Sequence, residues 1–174
     1  MTDRAVIEPV HVHNWGNYQL RFFVSPIWQK TREADKPWVS LDDVSKLCDL
    51  PKFLQDFYRQ ITQRDWLPNG ICKTIATIDD GITNIVPADF GRGLIGAMRD
   101  IRRDLPAKQK KLIIPIQRQR IIDTQFTLGL CFAYDKMLGG LSGPGKLGFV
   151  LAAHQGNSVL SEAMKNVQSN TADR

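Results

Sequence analysis

The sequence predicts an α+β fold in which hairpins form a small antiparallel sheet packed with short helices, followed by a helical C-terminal part. Two observations support this class. β-Prone stretches are bounded by turn residues, and segments with apolar residues at helical spacing lie between and after them. The length of 174 residues suits a single domain or one domain with an appendage, and a composition of 43% hydrophobic and 24% charged residues is ordinary for a folded protein.

Composition also limits the setting of the chain. Apolar runs stay well short of the roughly 18 residues that a membrane helix needs, so we expect no membrane partner. The N-terminus lacks the basic and apolar regions of a secretory signal. Three widely spaced cysteines do not suggest a disulfide framework. We therefore expect a cytoplasmic protein.

The first strands are predicted after a loose lead-in over residues 1–12. Residues 19–24 are β-prone, and turn chemistry precedes them at Asn14, Gly16 and Asn17. The polar residues 28–37 indicate a hairpin loop, after which Trp38 and Val39 form a short returning strand.

A capped helix follows this strand. Ser40 is placed to accept hydrogen bonds from free amides of the first turn, and Asp43 occupies the capping-box position. Leu41, Val44 and Leu47 share one face, and the helix ends at Leu50-Pro51.

A second helix is predicted over residues 52–66. Its apolar stripe consists of Phe53, Leu54, Phe57 and Ile61. The two helices are spaced like a helix-turn-helix corner, although many helix pairs that bind nothing have the same spacing. Side chains on the second helix that are suited to purine edges are Gln55, Arg59, Gln60 and Gln63.

Residues 73–87 carry the signal of a second hairpin, since Asp80-Gly81 suits the positive φ angles of a type I′ turn. Asp89 then caps a helix over residues 90–105. Gly91, Gly93 and Gly96 each weaken this helix by roughly 1 kcal/mol relative to Ala, and we expect them to permit close packing against the hairpin.

The chain changes character after Pro106. Residues 106–111 form a basic connector, and residues 112–121 are predicted as an edge strand interrupted by Pro115. Residues 126–138 fit a buried helix or a buried strand equally well. Residues 139–148 indicate a flexible loop, and residues 149–168 a segment that is helical in its second half. We thus expect an α+β domain over 13–105 and an extension over 106–174 that packs on it or mediates oligomerisation.

The basic excess is concentrated in one segment. Residues 92–120 contain nine lysines and arginines against two aspartates, a net of +7, which leaves −2 for the rest of a chain whose total is +5. A concentrated positive field attracts polyanions, although a solvated helix face followed by a basic loop would have the same composition.

The motifs that resemble catalytic or metal sites are incomplete. Gly140 to Lys146 has phosphate-loop spacing, but Leu147 stands where a hydroxyl should bind magnesium. His11 and His13 lack further ligands, and the turn explains Asp79 and Asp80 beside Lys73 without chemistry. We predict no enzyme, no cofactor and no metal.

Three stretches of the chain are similar to a known family. "KPWVSLDDVSKLCDLP" and "IATIDDGITNIVPADF", followed by "GLIGAMRDIRRD", resemble the Bro-N/KilA-N domain at the start of phage and prophage antirepressors. The residues that match are Pro37, Trp38, Val39, Asp43, Val44, Leu47, Asp80, Gly81, Ile85, Leu94 and Ile95. The resemblance covers about residues 13–105 and implies an α+β domain that binds DNA or a regulatory protein without catalysis.

These observations together predict a phage or prophage-type protein for transcription regulation that binds DNA through a basic patch. The predicted nucleic-acid-binding residues are Arg59, Arg64, Arg92, Arg99, Arg102, Arg103, Lys108, Lys110, Lys111, Arg118 and Arg120. The alternative is an antirepressor or counter-defence protein that binds a repressor or a host defence protein, and a nucleic-acid-processing enzyme is the remote reading. Assembly into a homo-oligomer stays open.

Overall fold

The computed structural model describes residues 6–25, 34–62, 73–77, 81–111 and 115–155. These ranges form five strands and six helices. The strands are β1 (His11–Trp15), β2 (Tyr18–Phe23), β3 (Trp38–Ser40), β4 (Lys73–Thr77) and β5 (Gly81–Pro87). The helices are α1 (Leu41–Leu47), α2 (Lys52–Thr62), α3 (Ala88–Asp104), α4 (Ala107–Lys110), α5 (Ile116–Met137) and α6 (Gly143–Gln155). The predicted α+β class is confirmed.

All five strands belong to one antiparallel sheet in the order β1-β2-β3-β5-β4. A two-residue turn joins β1 to β2, so that Trp15 pairs with Tyr18 across the ladder. Gly16 has a φ of +58°, whereas Asn17 does not have a positive φ. Glycine at the first of two central positions is the pattern of a type II′ hairpin turn, which matches the twist of the strands.

The second hairpin differs from the predicted one in its register. Gly81 has the expected positive φ of +73°. However, the ladder pairs Thr77 with Gly81 and thereby places three residues, 78–80, between the strands. The predicted two-residue type I′ turn on Asp80-Gly81 is therefore wrong. A glycine of positive φ after a three-residue connection is typical of the longer hairpins.

The core lies between one face of the sheet and the helices. Leu20 and Phe22 of β2, with Val39 and Val86, pack against buried side chains of α1, α3 and α5. On the opposite face of the sheet, Phe23, Trp38 and Ile85 form a smaller cluster with Ile7. This alternation is the period of two that strands impose on their side chains.

Helix α1 is fixed at both ends by the residues that predicted it. The Ser40 hydroxyl accepts a hydrogen bond from the Asp43 amide at 3.1 Å, as expected of an N-cap. At the other end, Asp49 has a φ of +46°. Its amide donates to the Lys46 carbonyl, and the amide of Leu50 donates to the Ser45 carbonyl. These two bonds define a Schellman motif with aspartate at the left-handed position.

Two helical glycines allow α3 and α5 to approach the sheet. A Cβ at Gly129 would lie 2.7 Å from Phe22 Cε2 and 2.9 Å from His13 Cβ. A Cβ at Gly91 would lie 2.7 Å from Val39 Cγ1. Gly93, by contrast, has open space around it. Close packing against the hairpin was predicted for Gly91, Gly93 and Gly96. The close neighbours of Gly91 are instead Val39 of β3 and Phe126 of α5, and Gly96, like Gly93, has open space around it.

The C-terminal part departs most from the sequence predictions. Pro115 does not interrupt an edge strand, because α5 begins at the next residue and runs through the segment for which helix and strand stayed open. Proline is tolerated there because the first helical turn needs no amide partner. The predicted flexible loop ends early, since α6 begins at Gly143 and continues through Phe149. The helix predicted for the second half of residues 149–168 lies outside the described residues.

Candidate nucleic-acid interface

Helices α3 and α5 form an antiparallel pair. Gln119 Nε2, near the start of α5, donates to the Ile95 carbonyl at 2.5 Å, in the middle of α3. One turn further along α5, Asp123 accepts from Arg92 Nε at 3.1 Å, near the start of α3. The end of α3, the short α4 and the start of α5 therefore meet at one end of the pair.

Most cations of the basic segment lie at this end. Arg102 and Arg103 occupy the last turn of α3, where positive charge also interacts favourably with the helix dipole. We call this surface the basic end and define it by Arg102, Arg103, Lys108, Lys110, Lys111, Arg118 and Arg120.

The cations of the basic end differ in their pairing. Arg103 lies 3.1 Å from Asp104 and 3.4 Å from Asp100, and the hydrogen bond that it donates to Asp104 raises the pKa of its guanidinium. Arg118 Nη2 lies 2.8 Å from Asp49 Oδ2.

Four other cations have no ion pair within the part of the chain that the structure describes. They are Lys108, Lys110, Lys111 and Arg120, and of these only Lys110 is half-buried, the others being exposed. Such groups can exchange their counterions for phosphates without first breaking a salt bridge.

Three consecutive residues of α5 point in three directions, because an α-helix turns by about 100° per residue. Arg118 faces the β1–β2 turn and donates to the Tyr18 hydroxyl at 2.6 Å. Gln119 faces α3. Arg120 faces solvent. Of the two cations that the run QRQR supplies to the basic end, Arg120 is thus exposed and Arg118 is bound to the β1–β2 hairpin.

Two predicted phosphate contacts lie outside the basic end. Arg92 is at the far side of the helix pair and is bound to Asp123. Arg59 lies on α2 and is bound to Asp42 at 2.9 Å, and this hydrogen bond raises the pKa of its guanidinium. Arg99 lies on α3, but its side chain is outside the described residues, as is Arg64.

The predicted base-reading face of α2 is only partly available. Gln55 Nε2 donates to the Leu50 carbonyl at 2.6 Å, so it is engaged at the joint between α1 and α2. Gln60 is exposed. Gln63 lies outside the described residues.

Two of the incomplete motifs have side chains that are bound to other described residues. Lys146 lies in the first turn of α6, and its Nζ is 2.6 Å from Asp135 rather than free above a phosphate loop. His13 Nε2 lies 3.0 Å from Gln125 Oε1. No group of three metal-ligating side chains occurs among the described residues. Asp79 and Asp80 lie outside them.

A groove beside the basic end is the feature that sequence reasoning missed. Its volume is about 560 Å³, and it is lined by Trp15, Gly16, Tyr18, Arg118 and Ile121. The only sequence signal for it was the pair of aromatic residues on either side of a two-residue turn. The contribution of α5 was hidden because its first residues were predicted as a strand.

Comparison with protein-family models, with curated proteins and with solved structures finds no match for this chain. The resemblance to the Bro-N/KilA-N domain therefore stays a prediction. Among the helices in the described ranges, none has the length and apolarity needed to span a membrane.

Proposed function

We propose that this chain is a non-enzymatic DNA-binding protein that contacts phosphates through the basic end. The observation that carries the proposal is that four cations have no ion pair among the described residues: Lys108, Lys110 and Lys111 in and directly after α4, and Arg120 in the second turn of α5. Phosphate contacts supply most of the affinity of non-specific DNA binding.

A regulatory role in a phage or prophage, exerted in the cytoplasm, is the expectation that the Bro-N/KilA-N resemblance adds. It rests on the quoted stretches around Trp38 and Gly81. In such a protein the basic end would fix the position of the DNA, while sequence would be read by other side chains. On α2, the exposed side chain of Gln60 is the candidate for reading base edges.

The test is the salt dependence of binding to a labelled DNA duplex, measured by fluorescence anisotropy. Four phosphate contacts predict a slope of log K against log salt of about −3.6. Replacing Lys108, Lys110 and Lys111 by glutamine should reduce the slope to about −0.9, since one of the four cations remains.

A matched triple variant controls for net charge. Lys52, Lys136 and Lys146 lie outside the basic segment, and Lys52 and Lys146 are paired with Asp56 and Asp135. Their replacement by glutamine removes the same charge and should leave the slope nearly unchanged. The proposal fails if duplex and single strands are both ignored at low salt, or if the two triple variants lose equal affinity.

A protein-binding inhibitor is the second candidate, and a row of exposed apolar side chains on α5 favours it. Ile121, Leu128 and Phe132 are 49%, 43% and 53% exposed and follow one another at helical spacing. Surfaces of this kind mark protein contacts. Capture of a partner after nuclease treatment, lost in Leu128→Ser plus Phe132→Ser, would support this function, whereas capture that needs nucleic acid would contradict it.

A further inference from the structure

The groove beside the basic end has two aromatic side chains at its centre. Trp15 ends β1 and Tyr18 begins β2, and their rings lie 5.9 Å apart between centroids with an angle of 24°. Both side chains are half-buried, so part of each ring is accessible. A Cβ at Gly16, which lies between them, would have no atom within 4 Å, so the rim of the groove at the turn is open.

Helix α5 completes the groove with a fixed cation. The Arg118 guanidinium carbon lies 5.7 Å from the centroid of the Tyr18 ring, within the range of a cation–π contact. Its Nη2 also lies 2.6 Å from the Tyr18 hydroxyl and 2.8 Å from Asp49 Oδ2. The arginine is therefore held in place before any ligand arrives, and little side-chain entropy remains to be lost on binding.

These surfaces suit a flat aromatic ligand. Trp15, the Tyr18 ring and Ile121 offer apolar contact, and Ile121 is 49% exposed. Hairpin stapling explains why Trp15 and Tyr18 touch each other. It does not explain the open groove of about 560 Å³, one side of which is formed by Arg118 of α5.

The position of the groove identifies the source of the aromatic ligand. Ile121 directly follows Arg120, an exposed cation of the basic end. A strand whose phosphates contact Arg120 would bring its bases to the groove. In a duplex, the faces of the bases are stacked on one another and cannot enter, whereas an unpaired base presents a free face.

We propose that the groove binds an unpaired nucleobase of single-stranded DNA by stacking against Trp15, with Arg118 at its edge. This inference rests on the proposed function, because the backbone of the strand is held by the basic end. Stacking of one base contributes about five- to 150-fold in affinity.

The experiment compares two labelled ten-nucleotide strands, one of thymidines and one with the same backbone and abasic spacers. Binding is measured by anisotropy at one low salt concentration. The wild-type chain should bind the thymidine strand at least about five-fold more tightly. Trp15→Ala should bring the two affinities together, whereas Phe132→Ala, which removes an exposed ring elsewhere on α5, should preserve the difference.

A second variant keeps the test valid if Trp15→Ala does not fold. Ile121→Glu changes an exposed side chain and places a negative charge in the groove, so it should also abolish the preference for bases while the circular dichroism spectrum is retained. Equal, salt-dependent binding of both strands by the wild-type chain would contradict base binding in the groove but not phosphate binding at the basic end. Failure to bind either strand or a duplex would contradict both proposals.

Discussion

The ion pair between Arg21 of β2 and Asp43 of α1 ties the first helix to the centre of the sheet. Arg21 donates to the Asp43 carboxylate from its amide at 3.0 Å, from Nε at 2.8 Å and from Nη2 at 2.8 Å. Both side chains are only 4% exposed. Although Asp43 occupies the capping-box position, its carboxylate thus binds Arg21 of the sheet.

Replacing Asp43 by alanine should lower the free energy of unfolding by about 3–5 kcal/mol. The substitution leaves the Arg21 charge buried and removes the acceptor of three donors. A small domain has a total stability of about 5–15 kcal/mol, so the loss takes a large share of it. Urea unfolding followed by far-ultraviolet circular dichroism at pH 7 measures it.

Two further variants separate the ion pair from the helix cap. Ser40→Ala removes only the cap and should cost about 1 kcal/mol. Arg21→Met combined with Asp43→Leu removes both charges and should recover most of the loss, because neither charge of this pair is then buried without the other. A loss of under about 1 kcal/mol for Asp43→Ala, or a double variant no more stable than it, would refute this reasoning.

Three other predictions concern packing, thiol reactivity and pH. Gly129→Ala should lower the free energy of unfolding in urea by about 1–2 kcal/mol, because overpacking against the sheet outweighs the gain in helix propensity. Gly93→Ala, in open space, should raise it by up to about 1 kcal/mol. The opposite order would contradict the close approach of α5 to the sheet. In a variant without the third cysteine, Cys131 should react with a thiol reagent in the native state and Cys48 only after unfolding, since burial raises the pKa of Cys48 to about 12. Burial lowers the pKa of His11, so the unfolded chain binds more protons below about pH 6.5 and stability should fall as the pH drops through that value. His11→Phe should flatten this dependence, and an unchanged slope would exclude His11 as its source.

The elements predicted well are those with local signals. Helix α1 follows from the Ser40 cap and the apolar spacing of Leu41, Val44 and Leu47, all of which lie within eight residues. The positive φ of Gly81 likewise follows from a glycine beside an aspartate. Capping and turn chemistry involve only neighbouring residues, so the sequence alone contains these signals. They do not always decide the outcome: the predicted Asp89 cap is wrong, because α3 begins at Ala88 after Pro87 and has no side-chain cap.

Helix α5 could not be predicted in this way because tertiary packing decides it. It has neighbours on two sides: Phe126 packs edge-on against Phe22 at 5.6 Å between ring centroids, and Gln119 binds α3. Buried side chains on more than one flank blur the apolar stripe that marks a surface helix. The groove was hidden for the same reason, since Arg118 and Ile121 line it together with Trp15 and belong to the segment that was predicted as a strand.

Charge in the basic segment is the clearest case in which the fold changes what the composition implies. The net of +7 over residues 92–120 omits Asp123 and Asp49, which the fold brings to Arg92 and Arg118. Adding these two carboxylates lowers the local net charge from +7 to +5. If all nine cations bound phosphates, the salt slope on duplex DNA would be about −8, whereas the four cations without described ion pairs give about −3.6. The measured slope therefore tells whether DNA binding uses the basic segment as a whole or only the cations that the fold leaves at the end of the helix pair.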